Sequence, residues 1–125
     1  MALASVTTFL QERRDVARAL VEAVHAALVE VLQVPPDDPT VWARMIPGED
    51  SIVAGRHGCD AVVVEITMFS GRTDQTVARL HRQVCDRVAS VGIDPLCVIN
   101  ESPARNWSIG GVPQDTVDVG FQIDI

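Results

Sequence analysis

From Ala61 to Gly111 the chain reads as a strand, a Gly71-Arg72 turn, an amphipathic helix, a second strand and a Gly-rich hairpin. The opening repeats this order in weaker form: Ala2 to Phe9 is strand-like, Arg13 to Leu32 helix-like, and Val41 to Ile46 extended again. A strand, a helix and a second strand in the same sheet make a parallel pair, because the chain needs a crossover to return to its starting edge. The tandem arrangement therefore predicts an α/β fold in which two β-α-β units form a four-stranded sheet with both helices on one face. The expected divisions are a first unit over about 2–46, a connecting loop at 47–60, a second unit over about 61–101, and a hairpin with a C-terminal strand over 102–125. With 125 residues and 47% hydrophobic content, a single domain can bury a real core.

Each element has a local cause. Val16, Leu20, Val24, Leu28 and Leu32 recur every four residues as one apolar stripe, and Val34-Pro35-Pro36 stops that helix. In the second helix Thr73 is a candidate N-cap and Asp74 suits the positive end of the dipole. Val77, Leu80, Val84 and Val88 form its stripe, and Gly92 is a natural stop. The β-branched run Val62 to Thr67 suits a sheet covered by helices, and Cys97-Val98-Ile99 reads as its partner. In Val117 to Ile125 apolar residues alternate with polar or small ones, the mark of a strand with one buried face. A sheet with helices on one side only leaves the other face bare, so an oligomer is expected, with this tail reaching a neighbour.

Charge and composition exclude several classes of function. A formal charge of -7 argues against non-specific binding to nucleic acid or to an anionic membrane, so any anionic ligand must be gathered by particular arginines. The N-terminus acquires charge by Glu12 and reads as neither a signal peptide nor a membrane span, which makes a soluble cytoplasmic protein the expectation. Cys59, Cys85 and Cys97 form no CxxC clip, so neither a disulfide framework nor a metal site is expected. There is no lysine and no tyrosine, which removes lysine Schiff-base chemistry and phenolic acids. The histidines, carboxylates, thiols and terminal amine remain as proton carriers. His25 and His81 lie on helices beside the buried stripes, Cys85 and Cys97 read as small core fillers, and Ser70-Gly71 is not a nucleophile elbow.

The tandem units, Gly71-Arg72-Thr73 after an apolar strand, the Asn106-Trp107-Ser108-Ile109-Gly110-Gly111 hairpin and the ending Val117-Asp118-Val119-Gly120-Phe121 together resemble the tautomerase superfamily. Gln33-Val34-Pro35 followed by Asp38 is similar to its malonate semialdehyde decarboxylase-like branch in particular. The resemblance implies a homotrimer built around a barrel of sheets, needing no cofactor, that acts on small 2-oxo or enol carboxylic acids. It also implies a cofactor-independent isomerase, or a related hydratase or decarboxylase. One departure stands out. Family members carry a proline after the initiating methionine as their catalytic amine, whereas here Ala2 follows Met1 and no proline occurs before Pro35.

The resemblance assigns Arg72 to a substrate carboxylate, which a guanidinium can fork at a helix N-terminus; the same residue could simply cap a turn. If Met1 is removed, the Ala2 amine could replace the missing proline as a base, lowered by an apolar pocket. Asp38 falls where the decarboxylase-like branch places an acid that assists water, although Asp37-Asp38-Pro39 is also an ordinary turn. Trp107 would wall the pocket, with Asn106 beside it and Arg105 offering a second carboxylate contact across a subunit boundary. Arg56 and His57 sit in a Gly-flanked loop of a type that carries ligands. Two other classes stay open: a non-catalytic trimeric binding or scaffold protein, and a repurposed enzyme of a secondary pathway.

Overall fold

The computed structural model describes residues 1–9, 14–53, 55–57, 61–90 and 94–125, without the side chains of 14, 56, 57 and 94. Arg13, Cys59 and Gly92 and the side chains of Arg56 and His57, all of which carried sequence expectations, lie outside the described residues.

The tandem units are present. The first is β1 (Ala2–Thr8), α1 (Arg14–Leu32) and β2 (Thr40–Met45); the second is β5 (Ala61–Phe69), α2 (Asp74–Ala89) and β6 (Asp94–Ser102). Sheet order is β2-β1-β5-β6, parallel within each unit and antiparallel between β1 and β5. The segment read as a connecting loop contains a short hairpin, β3 (Ile52–Val53) with β4 (Arg56–His57), turned at Gly55 where φ is +79°. A second hairpin, β7 (Ser108–Ile109) with β8 (Val112–Pro113), follows β6.

Both helix stripes point into one core. Leu20, Val24, Leu28 and Leu32 from α1 and Leu80, Val84 and Val88 from α2 are buried against Ala4, Val6, Val64 and Ile66 of the sheet. Arg87 pairs with Glu30 across the two helices on the outside. Cys97 packs at the core margin, and burial together with the neighbouring Cys85 pushes its thiol up to about 11, as befits a filler rather than a nucleophile. The opposite sheet face is bare, with Trp42, Leu96 and Val98 exposed on it beside Ser5 and Glu65.

The tail departs from expectation. Val117–Ile125 keeps its alternation, with Val119, Phe121, Ile123 and Ile125 turned inward, but it pairs with no strand among the described residues. The physical reason is that its carbonyls are captured elsewhere. Thr73 N donates to Ile125 O at 3.0 Å and Arg72 Nη1 to Gln122 O at 3.2 Å, so the tail is tied to the start of α2 instead of joining a ladder.

Antiparallel pairing of β1 with β5 decides where function can lie. It sets the start of β1, the α1-β2 connection, the β5-α2 turn and the exit of β6 at one end of the sheet. α1 leaves for that connection through Gln33, a non-glycine residue at φ +53°. A left-handed C′ position favours glycine. Gln33→Gly is expected to raise stability by about 1 kcal/mol, seen as a higher denaturant midpoint at unchanged m-value.

Candidate functional site

At this end of the sheet the terminal amine, Asp38 and Arg72 converge. Met1 O accepts from Phe69 N at 3.2 Å, which extends the β1-β5 pairing by one residue and holds the terminus in place. The Met1 amine then lies 3.8 Å from Asp38 Oδ2. That separation is an ion pair rather than a hydrogen bond, and Oδ2 is buried with no hydrogen-bond partner. Asp38 itself sits in a turn closed by its own N-H donating to Pro35 O at 3.0 Å. In the chain that bears Met1, Ala2 is a buried β1 residue, 1% exposed, and its nitrogen is a peptide amide.

Arg72 is not a surface cap. It is 8% exposed, and Nη1 donates to Leu32 O at 2.8 Å and to Gln122 O at 3.2 Å, while Cζ lies 5.8 Å from the Phe121 ring centroid. With Nη1 committed to backbone, any fork to a carboxylate would have to come from Nε and Nη2. Behind it Gly71, at φ +112°, passes so close to the tail that a Cβ there would meet Ile123 Cγ2 at 3.2 Å. Thr73 caps α2 as expected, its Oγ1 accepting from Thr76 N at 3.2 Å.

Each charge in the cluster disturbs the others. Burial lowers the Met1 amine below its ordinary 8.0, a fall opposed by the Asp38 carboxylate and deepened by Arg72. Asp38 is raised above 3.8 by burial, against the pull of the amine and Arg72. Arg72 is lowered by burial and partly restored by Asp38. The cluster thus shifts the amine toward its neutral form and the Asp38 carboxyl toward its protonated form, each in the direction that burial dictates.

The hairpin residues occupy the same end of the sheet but a different layer. Trp107 is 9% exposed, stacked edge-on to Phe69 at 5.4 Å and 82°, with Nε1 donating to Ser102 O at 3.3 Å. Its stacking partner Phe69 donates its N-H to Met1 O, which links it to the terminus. Asn106 is exposed and donates from Nδ2 to Ser102 Oγ, and Arg105 is exposed. Among the described residues, none of the three hydrogen-bonds or stacks with Arg72. Clefts of about 360, 470 and 110 Å³ lie elsewhere, at Ala17-Val21-Met45, at Glu49–Ile52 and on the bare sheet face. Among the described residues no group of three or more His, Cys, Asp or Glu side chains could hold a metal ion, and no helix is long and apolar enough to cross a membrane.

The Tautomerase_2 profile, described as tautomerase enzyme, matches residues 44–110, more than half of the sequence. The chain belongs to this family. No protein with a curated description matches it. Among solved structures it is similar to FG41 malonate semialdehyde decarboxylase inhibited by 3-bromopropiolate, at 29% identity over 91% of this chain and 94% of that one, TM-score 0.80. It is also similar in fold to a fused 4-OT in a symmetric trimer (21% identity, 91% and 96% covered, TM-score 0.82). A second malonate semialdehyde decarboxylase, studied for decarboxylase and hydratase activities, aligns at 18% identity over 86% and 90% with TM-score 0.75. The profile spans the Gly71-Arg72 turn and the hairpin to Gly110, and leaves out both the terminus and Asp38.

Two contacts of the cluster escaped the sequence reading: the anchoring of Arg72 on Leu32 and Gln122, and the tie between Met1 and Phe69. Neither has a signal in spacing, because the Arg72 partners are 40 and 50 residues away.

The linkage has a definite sign. The folded amine binds its proton less tightly than the unfolded chain does, so stability should rise as pH climbs through the folded amine midpoint toward 8.0. Asp38 acts oppositely, holding its proton more tightly in the fold and withdrawing stability as pH rises from 3.8 through its folded midpoint. Denaturation midpoints across that range should show the late rise in wild type, and Asp38→Asn should remove the early fall.

Proposed function

We propose that the chain binds a small 2-oxo or enol carboxylic acid at the Arg72 end of the sheet and moves a proton between its oxygen and carbon. The observation that carries this reading is the convergence of the terminal amine, the partnerless Asp38 Oδ2 and buried Arg72 within one cluster. Arg72 receives the carboxylate through Nε and Nη2, assisted by the positive end of α2. The neutral amine takes the enol hydroxyl proton, and the ammonium so formed returns it to carbon, which leaves the acid isomerised and the protein unchanged. Asp38 steadies the ammonium between these steps. Its likeness to malonate semialdehyde decarboxylase at 29% identity supports a variant in which amine and carboxylate together activate water for hydration or decarboxylation of a related acid.

The amine in this scheme belongs to Met1 in the described chain, and to Ala2 if the methionine is removed, about 3.8 Å further along. The reading is of a cytoplasmic, cofactor-independent isomerase that works as a homotrimer. The bare face bearing Trp42, Leu96 and Val98, and the trimeric assembly of the similar fused 4-OT, support that assembly. In a trimer exposed Arg105 and Asn106 are available to a site on a neighbouring copy, with Trp107 and Phe69 as apolar wall.

A second reading, a binding or scaffold module without turnover, is favoured by the commitment of Arg72 Nη1 to backbone carbonyls. Absorbance assays separate the two. With phenylenolpyruvate or 2-hydroxymuconate, wild type is expected to accelerate ketonisation, and Asp38→Asn to lose at least about 100-fold in kcat. Arg72→Lys keeps the charge and loses the fork, and is expected to raise KM about tenfold. Carboxylate binding without turnover in wild type would establish the module instead, and a third outcome, activity confined to a larger acid, would mark a repurposed pathway enzyme.

A further inference from the structure

Asp38 can face the amine only if the α1-β2 connection keeps one course. That connection leaves α1 at Gln33 with positive φ, buries Val34, and turns from Pro35 to Asp38 through the 3.0 Å bond between them. The carbonyl of Pro36 lies within this turn but takes no part in closing it. His25, on α1 about two turns before its end, supplies that carbonyl with a partner, Nε2 meeting Pro36 O at 2.7 Å. A carbonyl can only accept, so His25 is the donor, either as its Nε2-H tautomer or as imidazolium. The contact spans 11 residues, crosses from a rigid helix to an irregular segment, and lies two residues from Asp38.

We propose that His25 is a positioning residue: its bond to Pro36 O holds the turn so that the Asp38 carboxylate stands opposite the terminal amine. Leu32 O at the end of the same helix anchors Arg72, so α1 places both side-chain charges of the cluster, one through a backbone carbonyl and the other through His25. Pro36 has no N-H and limited backbone freedom, so a single bond to its carbonyl restrains the turn effectively. This inference rests on the reading of Asp38 as the acid of the site, yet its test needs no turnover.

The chain contains no lysine, so the α-amine is its only aliphatic amine, and a small acylating reagent reports on it alone once thioesters on the three cysteines and labile histidine adducts are stripped with hydroxylamine. The rate of N-terminal acylation against pH, followed by intact mass on protein retaining Met1, gives the amine midpoint. The groups that set it are Asp38 and Arg72 facing the amine, and Asp37 acting on Asp38. Asp38→Asn removes an opposing charge and should move the midpoint down by about one pH unit. His25→Ala should move it the same way by about half as much, and His25→Gln, whose amide nitrogen can replace Nε2, should restore it. In the Asp38→Asn background His25→Ala should have no further effect.

A wild-type midpoint in His25→Ala, or a further fall in the double variant, would overturn the proposal. If His25→Ala melts below the assay temperature, His25→Asn, whose amide is too short to reach Pro36 O, takes its place with the same expected outcome. Should the midpoint move as expected while no enol acid turns over, the positioning role stands and the proposed activity is what fails.

Discussion

The arginine that bridges the end of α1 to the tail is the interaction on which this end of the molecule depends. Arg72 lies where β5 passes into α2, yet Nη1 is spent on Leu32 O and Gln122 O, so one side chain fastens three segments that the sheet does not pair. Removing a guanidinium from water is costly unless hydrogen bonds and opposite charge replace hydration. Here the replacements are the two carbonyls, the Phe121 ring and the field of Asp38. Each also fixes the piece of chain that carries it. The loop that presents Asp38 begins one residue after Leu32, so the placement of the acid is linked by covalent structure to the placement of the arginine.

On the proposed reading, an acidic protein would attract an acid through one local guanidinium. The whole chain carries -7, and with the amine neutral the charges of Arg72 and Asp38 cancel, so the pull on a carboxylate comes from the directed Nε and Nη2 donors of Arg72 rather than from a net charge. A carboxylate seated on Arg72 would oppose the lowering that Arg72 imposes on the amine and so strengthen the amine as a base. On that reading binding and proton affinity are coupled through Arg72, with no need for a moving part.

The parts of this arrangement that sequence made legible are those with a local period or a local chemistry. The Val16-to-Leu32 and Val77-to-Val88 stripes, the Val62-to-Thr67 run, the Thr73 cap and the stop before Pro35 all appear where residue type and spacing placed them. The tail shows the limit of such reasoning. Its alternation fixed which side chains turn inward, but alternation carries no information about which donors will take the carbonyls, and Thr73 N and Arg72 took them. The short β3-β4 hairpin was illegible because two-residue strands have no period to read. Within the site, Asp38 and Arg72 could be nominated from the sequence, whereas the burial of Arg72 and the His25 contact to Pro36 are products of tertiary packing.

The chain lacks a proline after Met1 and, on the proposed reading, uses another amine at the same end of β1. Proton transfer near neutrality asks for an amine that is largely unprotonated and held still within reach of its substrate. A pyrrolidine ring supplies stiffness, but stiffness can come from other sources. In this chain the residue bearing the amine is tied through Met1 O to Phe69 N, which makes it an extension of a strand paired along its whole length. Lowered basicity likewise comes from surroundings, here burial and Arg72, rather than from the kind of amine. On the proposed reading, a primary amine at the end of β1 meets the requirement for stillness through the fold, and its surroundings move its basicity in the direction proton transfer asks for. The ring is one solution to a constraint that the antiparallel join between the two β-α-β units already imposes.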